Sequence, residues 1–152
     1  MAATEDALAY LYRHYPRPGE LSIARLCFMM YLADWRSAIL YGKTISSIIW
    51  HLGSYGPQIS TGERREEWSS DEAKRIIREA MTHGKARNMD KPSRQILDHV
   101  IAAVEKRSWV ALSQLVYSTF PIITQPRYKK MNLVGLAQRY IREYRPLFTG
   151  TS

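Results

Sequence analysis

Asp34 is the residue that most invites a chemical reading. It stands inside an apolar run, Leu26 to Tyr41, broken only by itself, Arg36 and Ser37. A buried carboxylate must be hydrogen-bonded or paired. Asp34 is therefore either a binding or catalytic acid, or a structural carboxylate bonded to backbone amides or to a Tyr or Trp donor. Gly42-Lys43-Thr44 repeats the tail of a phosphate-binding loop. That loop needs a glycine where Ser37 stands, a strand before it and a helix after it, and here the order is inverted. The histidines His14, His51, His83 and His99 lack metal-ligand spacing and read as surface or loop residues. Cys27 lies in the apolar run, where burial raises a thiol pKa and keeps it inert. The acid pairs Glu66-Glu67 and Asp71-Glu72 fall in a polar loop and at a helix start, where capping accounts for them. No Gly-x-Ser-x-Gly elbow is present. The expectation is a protein that is not an enzyme and holds no cofactor or metal.

The formal net charge is +8, from 22 basic and 14 acidic residues. Basic and acidic residues balance up to residue 63, and the excess lies beyond it. Arg127, Lys129 and Lys130 flank Tyr128, and Arg139, Arg142 and Arg145 follow on the last predicted helix. Such a patch can contact phosphate and stack on bases, attract an acidic protein surface, or simply form a solvated face. The glycine-containing turn between paired short helices that marks a helix-turn-helix is missing.

The elements that would position these groups fit one domain over residues 1–152. A 45% hydrophobic share is enough for a core. A lone cysteine suits a reducing compartment, no stretch reaches the ~20 apolar residues of a membrane span, and the acidic amino terminus lacks a signal pattern. A cytoplasmic location without membrane contact is expected.

Thr4 can cap a first helix carrying Leu8, Leu11, Tyr12 and Tyr15, ended by Pro16 and Pro18-Gly19. Ser22 can cap a second helix that is apolar almost all round, the mark of a central helix wrapped by others. Gly42 stops it. Thr44 to Leu52 is β-branched and predicts a strand, with Tyr55-Gly56-Pro57 as a turn. Ser69 and Glu72 form a capping box before the stripe Ala73, Ile76, Ile77, Ala80, and residues 84–91 form a basic connector able to hold a short strand. Asp90-Lys91-Pro92 opens a helix with Ile96, Leu97, Val100, Ile101 and Val104 on its buried side. Ser108 caps the next, carrying Val110, Ala111, Leu112, Leu115 and Val116, which Phe120-Pro121 breaks. A loop from Ile122 to Met131 leads to Asn132, the cap of a last helix with the stripe Leu133, Leu136, Ala137, Tyr140, Ile141 and Tyr144, ended by Pro146. The fold class is mainly α: a single helical domain around a central apolar helix, with a small β-sheet or hairpin.

Three segments carry a resemblance. The first is Leu26 to Tyr41 with Tyr31-Leu32-Ala33-Asp34-Trp35, then Gly42 and Ile45. The second runs from Trp50 to Tyr55-Gly56-Pro57. The third is Leu115-Val116-Tyr117-Ser118-Thr119-Phe120-Pro121, then Thr124-Gln125-Pro126-Arg127-Tyr128, then Asn132-Leu133-Val134 with Leu136-Ala137. In this order the chain resembles the Panacea family, the SocA-like antitoxin domain of bacterial and phage toxin–antitoxin pairs. The family often has aspartate where Asn132 stands, and residues 60–95 depart from its pattern. The resemblance implies a mostly helical domain with a small sheet, in which Tyr31, Asp34, Trp35, Tyr41, Gly42, Trp50, Tyr55, Gly56 and Pro57 are scaffold. It also implies an antitoxin that binds a cognate protein toxin directly. Trp68, Arg127, Tyr128, Lys129, Lys130, Arg139 and Arg142 are the candidate partner-binding residues. The alternatives are a basic nucleic-acid-binding regulator and an adaptor that delivers the toxin for proteolysis.

Overall fold

A computed structural model describes residues 2–60, 70–87 and 89–144. Among them are seven α-helices and one two-stranded antiparallel sheet. The helices are α1 (Ala2–His14), α2 (Ile23–Tyr41), α3 (Ser70–His83), α4 (Lys91–Val104), α5 (Trp109–Tyr117), α6 (Phe120–Thr124) and α7 (Leu133–Glu143). The strands are β1 (Ile49–Gly53) and β2 (Gly56–Ser60). The chain is therefore mainly helical with one small hairpin. No helix among the described residues is long and apolar enough to cross a membrane.

Helix α2 is the axis. Ser22 accepts from the Arg25 amide at its start, and Gly42, at φ +69°, ends it in the left-handed region that glycine enters without a Cβ penalty. Leu26, Phe28, Met29, Met30, Tyr31, Ala33, Trp35 and Ala38 are all buried. They face neighbours on every side, because α1, α4, α5, α7 and β2 all pack on α2. Helix α4 buries the five apolar residues that its sequence stripe predicts. The stripe of α3 is buried at Ile77 and Ala80.

Arg25 is buried near the start of α2 and has no carboxylate partner among the described residues. Its guanidinium donates to the Tyr15 hydroxyl at 2.9 Å and to the carbonyls of Val104 and Arg107 at 2.7 and 2.5 Å. Those carbonyls lie at and just beyond the end of α4, the negative pole of that helix dipole. One cation thus ties α1, α2 and the α4–α5 junction together.

Asp34 is the second buried charge, with none of its surface exposed. Its Oδ1 accepts from the amides of Ile45 and Ser46, both at 2.9 Å. Its Oδ2 accepts from the Ser46 hydroxyl and, at 2.9 Å, from the Trp50 indole N–H. With four donors and no open face, the carboxylate is a structural tie. Burial pushes its pKa above the ordinary carboxylate value, and the four hydrogen bonds offset only part of that.

This tie explains where the strand begins. The β-branched run predicts a strand from Thr44, but β1 starts at Ile49. The amides of Ile45 and Ser46 are turned towards Asp34, the Ile48 amide donates to Ser46 Oγ, and Thr44 Oγ1 donates to the Ser46 carbonyl. Local side-chain bonds consume the groups a ladder would need.

Other expectations change in the same way. Thr4 lies inside α1 rather than capping it; its hydroxyl bonds Ser47 Oγ and accepts from the Ser47 amide. The hairpin turn is Ser54-Tyr55, and Gly56-Pro57 already belong to β2. Phe120-Pro121 opens α6, because proline suits the first turn of a helix. His51 is buried in β1, not a surface residue. No strand occurs within residues 84–87 or 89–90. Trp68, Ser69, Arg145 and Pro146 lie outside the described residues, as does the side chain of Glu72.

The loop before α7 also proves more ordered than a loop. The Leu52 amide donates to the Lys129 carbonyl at 3.1 Å, the Tyr128 amide to the Leu52 carbonyl, and the Met131 amide to the Trp50 carbonyl at 2.8 Å. A single antiparallel bridge joins His51 and Lys130. Residues 128–131 thus cover the edge of β1 that β2 leaves free.

Replacing Asp34 should expose the tie. Asp34→Ala strands four buried donors and is expected to cost about 3–5 kcal/mol. Asp34→Asn keeps an acceptor for the two amides but turns an amino group towards the Trp50 indole, for a loss of about 1–3 kcal/mol. The folded state holds the Asp34 proton more tightly than the unfolded chain does. The contribution from that proton is therefore fully present below the unfolded value of about 4 and is lost as pH rises through the raised folded value. Urea melts across pH should show wild type gaining on Asp34→Asn as pH falls.

Candidate partner-binding surface

The hairpin that Asp34 anchors projects its turn towards α5. Phe28 of α2 lies beneath this region at 5% exposure. Trp109 stacks on Phe28 with ring centroids 4.9 Å apart and 23° between planes, and Tyr117 meets it edge-on at 6.4 Å. The return of the hairpin is pressed against the same rings. A Cβ on Gly56 would stand 3.0 Å from Tyr117 and 3.1 Å from Phe28, and Gly56 has φ +104°. Only glycine lets the backbone approach this closely in that conformation.

The result is an exposed aromatic surface built from distant parts of the chain. Tyr55 at the turn is 83% exposed, Trp109 46%, Tyr117 41% and Tyr128 39%. Single exposed apolar residues need no explanation, but a connected group of Trp and Tyr rings is the composition of interface centres.

The segment Arg127 to Lys130 borders this surface. The Arg127 guanidinium donates to the carbonyls of Gly53 and Ser54 at 3.1 and 2.7 Å, and the Tyr128 hydroxyl bonds Ser54 Oγ at 2.7 Å. Arg127 and Tyr128 therefore also brace the turn. Tyr128 has φ +67°, an uncommon conformation for a bulky residue, held by bonds on both sides of it. The side chains of Lys129 and Lys130 are exposed.

Arg139 and Arg142 lie elsewhere. Arg139 pairs with Glu143 at 3.2 Å and sits 5.3 Å over the Phe120 ring. That ring belongs to a second aromatic group with Trp35, Tyr140 and Tyr144. Arg142 is exposed in the last turn of α7. The predicted basic set thus divides between the hairpin and the far part of α7, and Trp68 falls outside the described residues.

The scaffold residues converge. Tyr31 bonds Thr119 Oγ1 at 2.8 Å and meets Trp50 edge-on at 5.6 Å, and burial raises its hydroxyl pKa. Trp35 is buried against Phe120, and Tyr41 is half exposed beside the Gly42 cap. Cys27 is half-buried beside the hairpin, and burial pushes its thiol up to about 12. No group of three or more His, Cys, Asp or Glu side chains converges among the described residues.

Phe28, Trp109 and Tyr117 were the members of the aromatic surface that a sequence reading passes over. Trp109 directly follows the Ser108 cap, and Tyr117 ends α5, so both fall outside the apolar stripe of that helix. A tryptophan off the stripe of a short helix is the signal that could have found them. No family model, curated protein or solved structure matches this chain.

Two substitutions one residue apart should separate the braced turn from its exposed tip. Gly56→Ala is expected to cost about 1–3 kcal/mol, from strain at positive φ and contact with two rings. Tyr55→Ala should stay within about 0.5 kcal/mol, since its ring faces solvent. Thermal melts of the two variants check this.

Proposed function

We propose that this chain is an antitoxin that neutralises a cognate protein toxin by direct contact, with the aromatic surface at the hairpin as the contact face. The observation that carries this reading is the exposed pair Trp109 and Tyr117 packed on Phe28, with the hairpin pressed against the same rings at Gly56 beside exposed Tyr55. Surfaces of this composition supply the central anchors of protein interfaces. The cationic rim from Arg127 to Lys130 favours an acidic toxin surface and a faster encounter.

The resemblance to the Panacea family gives the second support. Its three segments are far apart in sequence yet bonded to one another. Asp34 receives Trp50, Tyr31 bonds Thr119, and Arg127 bonds the turn at Gly53 and Ser54. The motif residues act as one frame under the aromatic face, which suits a family that keeps a scaffold and varies its partners.

The test is co-expression with the product of the neighbouring gene, followed by affinity measurement on the purified pair. Protection from toxicity is expected, with a stable complex. Trp109→Ala or Tyr117→Ala should weaken it by about 30-fold or more, the loss of a hot-spot residue. A harmless gene product, or toxicity that is not relieved, removes the antitoxin reading. Full protection by both variants removes this face. The adaptor alternative predicts that toxin level falls during co-expression, whereas a stoichiometric inhibitor leaves it unchanged.

A nucleic-acid regulator is the second reading, favoured by the +8 charge and by the exposed Lys129 and Lys130 that follow Tyr128. It predicts binding to DNA or RNA that falls steeply with salt. An absence of binding at moderate salt rules it out.

A further inference from the structure

A second recess lies on a different face, between α2, α4 and α5. Its floor is Leu32, Trp35 and Ile39 of α2, Val100 and Ala103 of α4, and Leu115 of α5. The space is about 330 Å³ and open to solvent. Ala103 lines it as a small, exposed residue of α4, and the Thr119 hydroxyl, also in the lining, donates to the Val116 carbonyl at 2.7 Å. Leu40 extends the apolar floor at 44% exposure.

The rim has one sign of charge. Arg36, His99 and Arg107 line the recess and no acidic residue does. Arg36 and Arg107 are exposed, and neither makes an ion pair among the described residues. Arg107 is positioned by its own Nε, which donates to the Ala103 carbonyl at 2.8 Å, and by its carbonyl, which accepts from Arg25. Partial desolvation and the Arg36 charge both hold His99 towards its neutral form, so the positive charge of the rim comes from Arg36 and Arg107.

We propose that this groove docks an acidic amphipathic helix of a partner protein, with apolar side chains on the α2–α4 floor and carboxylates facing Arg36 and Arg107. The inference goes beyond the antitoxin reading and holds whether or not the partner is a toxin. Charge complementarity selects the occupant. An unpaired cationic rim above an apolar floor fits the two faces of such a helix, whose anchors recur at i, i+3 or i+4, and i+7. The volume lies at the low end for whole small-molecule ligands but accommodates a few side chains inserted from an open side.

The probe is a fluorescent synthetic helical peptide with leucines at i, i+4 and i+7 flanked by glutamates, titrated with the full chain. Saturable binding is expected. It should weaken about tenfold when the glutamates become glutamines, and by a similar factor in Arg36→Gln or Arg107→Gln, the loss of one rim contact. Ala103→Trp fills the groove from an exposed helix position and should abolish binding while the circular dichroism melt is unchanged. In the wild-type chain, amide shifts on adding peptide should cluster in residues 32–40 and 99–107, which does not depend on any variant folding. The proposal is overturned by an absence of saturable binding, by equal affinity for the glutamine peptide, or by shifts confined to the hairpin and residues 109–117. Binding of dodecanoate without binding of peptide also overturns it, and would reassign the groove to a small amphiphilic anion.

Discussion

The buried carboxylate of Asp34 is the interaction on which the rest of the architecture depends. It holds two amides, a hydroxyl and an indole N–H, all from residues 45–50. The chain leaving α2 at Gly42 is thereby folded back against the helix it came from. Trp50 is fixed from that side, and its carbonyl then receives the Met131 amide. A single charge thus sets the position of β1, β1 sets residues 128–131, and those residues brace the turn that carries Tyr55. Desolvating a carboxylate is costly, and four donors aimed at it in a low-dielectric site are the compensation.

Arg25 is the counterpart of opposite sign on the same helix. The two charges do not neutralise each other, since each is satisfied by dipoles: amides, a hydroxyl and an indole for Asp34, and carbonyls with a phenol for Arg25. Neutral hydrophobic replacements of the same volume are often as stable as buried charges. What the charges add is specificity of placement. An apolar helix such as α2 could slide or rotate against apolar neighbours at little cost, but not with a carboxylate that must meet residues 45–50 and a guanidinium that must meet the end of α4.

Much of this fold was legible because local chemistry and global packing agree. The caps at Ser22, Asp90, Ser108 and Asn132, the αL stop at Gly42 and the buried stripe of α4 all appear where residue type and period place them. Two of the failures have a common cause. Thr44 to Ile48 has strand propensity, and Thr4 has the chemistry of a cap, yet both are diverted by side-chain bonds to partners 11–43 residues away. Single-sequence periodicity does not see such partners. The candidate face was half legible for the same reason. The basic segment and Tyr128 stand out by composition, whereas Phe28, Trp109 and Tyr117 become one surface only after α5 is laid across α2.

Helix α5 links the two faces. Trp109 and Tyr117 point to the aromatic surface, and Leu115 lies in the floor of the groove. The residue just before its cap is Arg107, whose carbonyl is held by Arg25 and whose side chain forms part of the groove rim. The buried arginine therefore sets where α5 begins, and with it the separation of the two faces. A central helix with a short helix pinned across it holds two surfaces of different chemistry in fixed relation, one aromatic and one apolar with a cationic edge. Pinning α5 in this way reduces the ordering cost that a partner would otherwise meet on binding. It also means that α5 cannot shift to improve one contact without displacing the other.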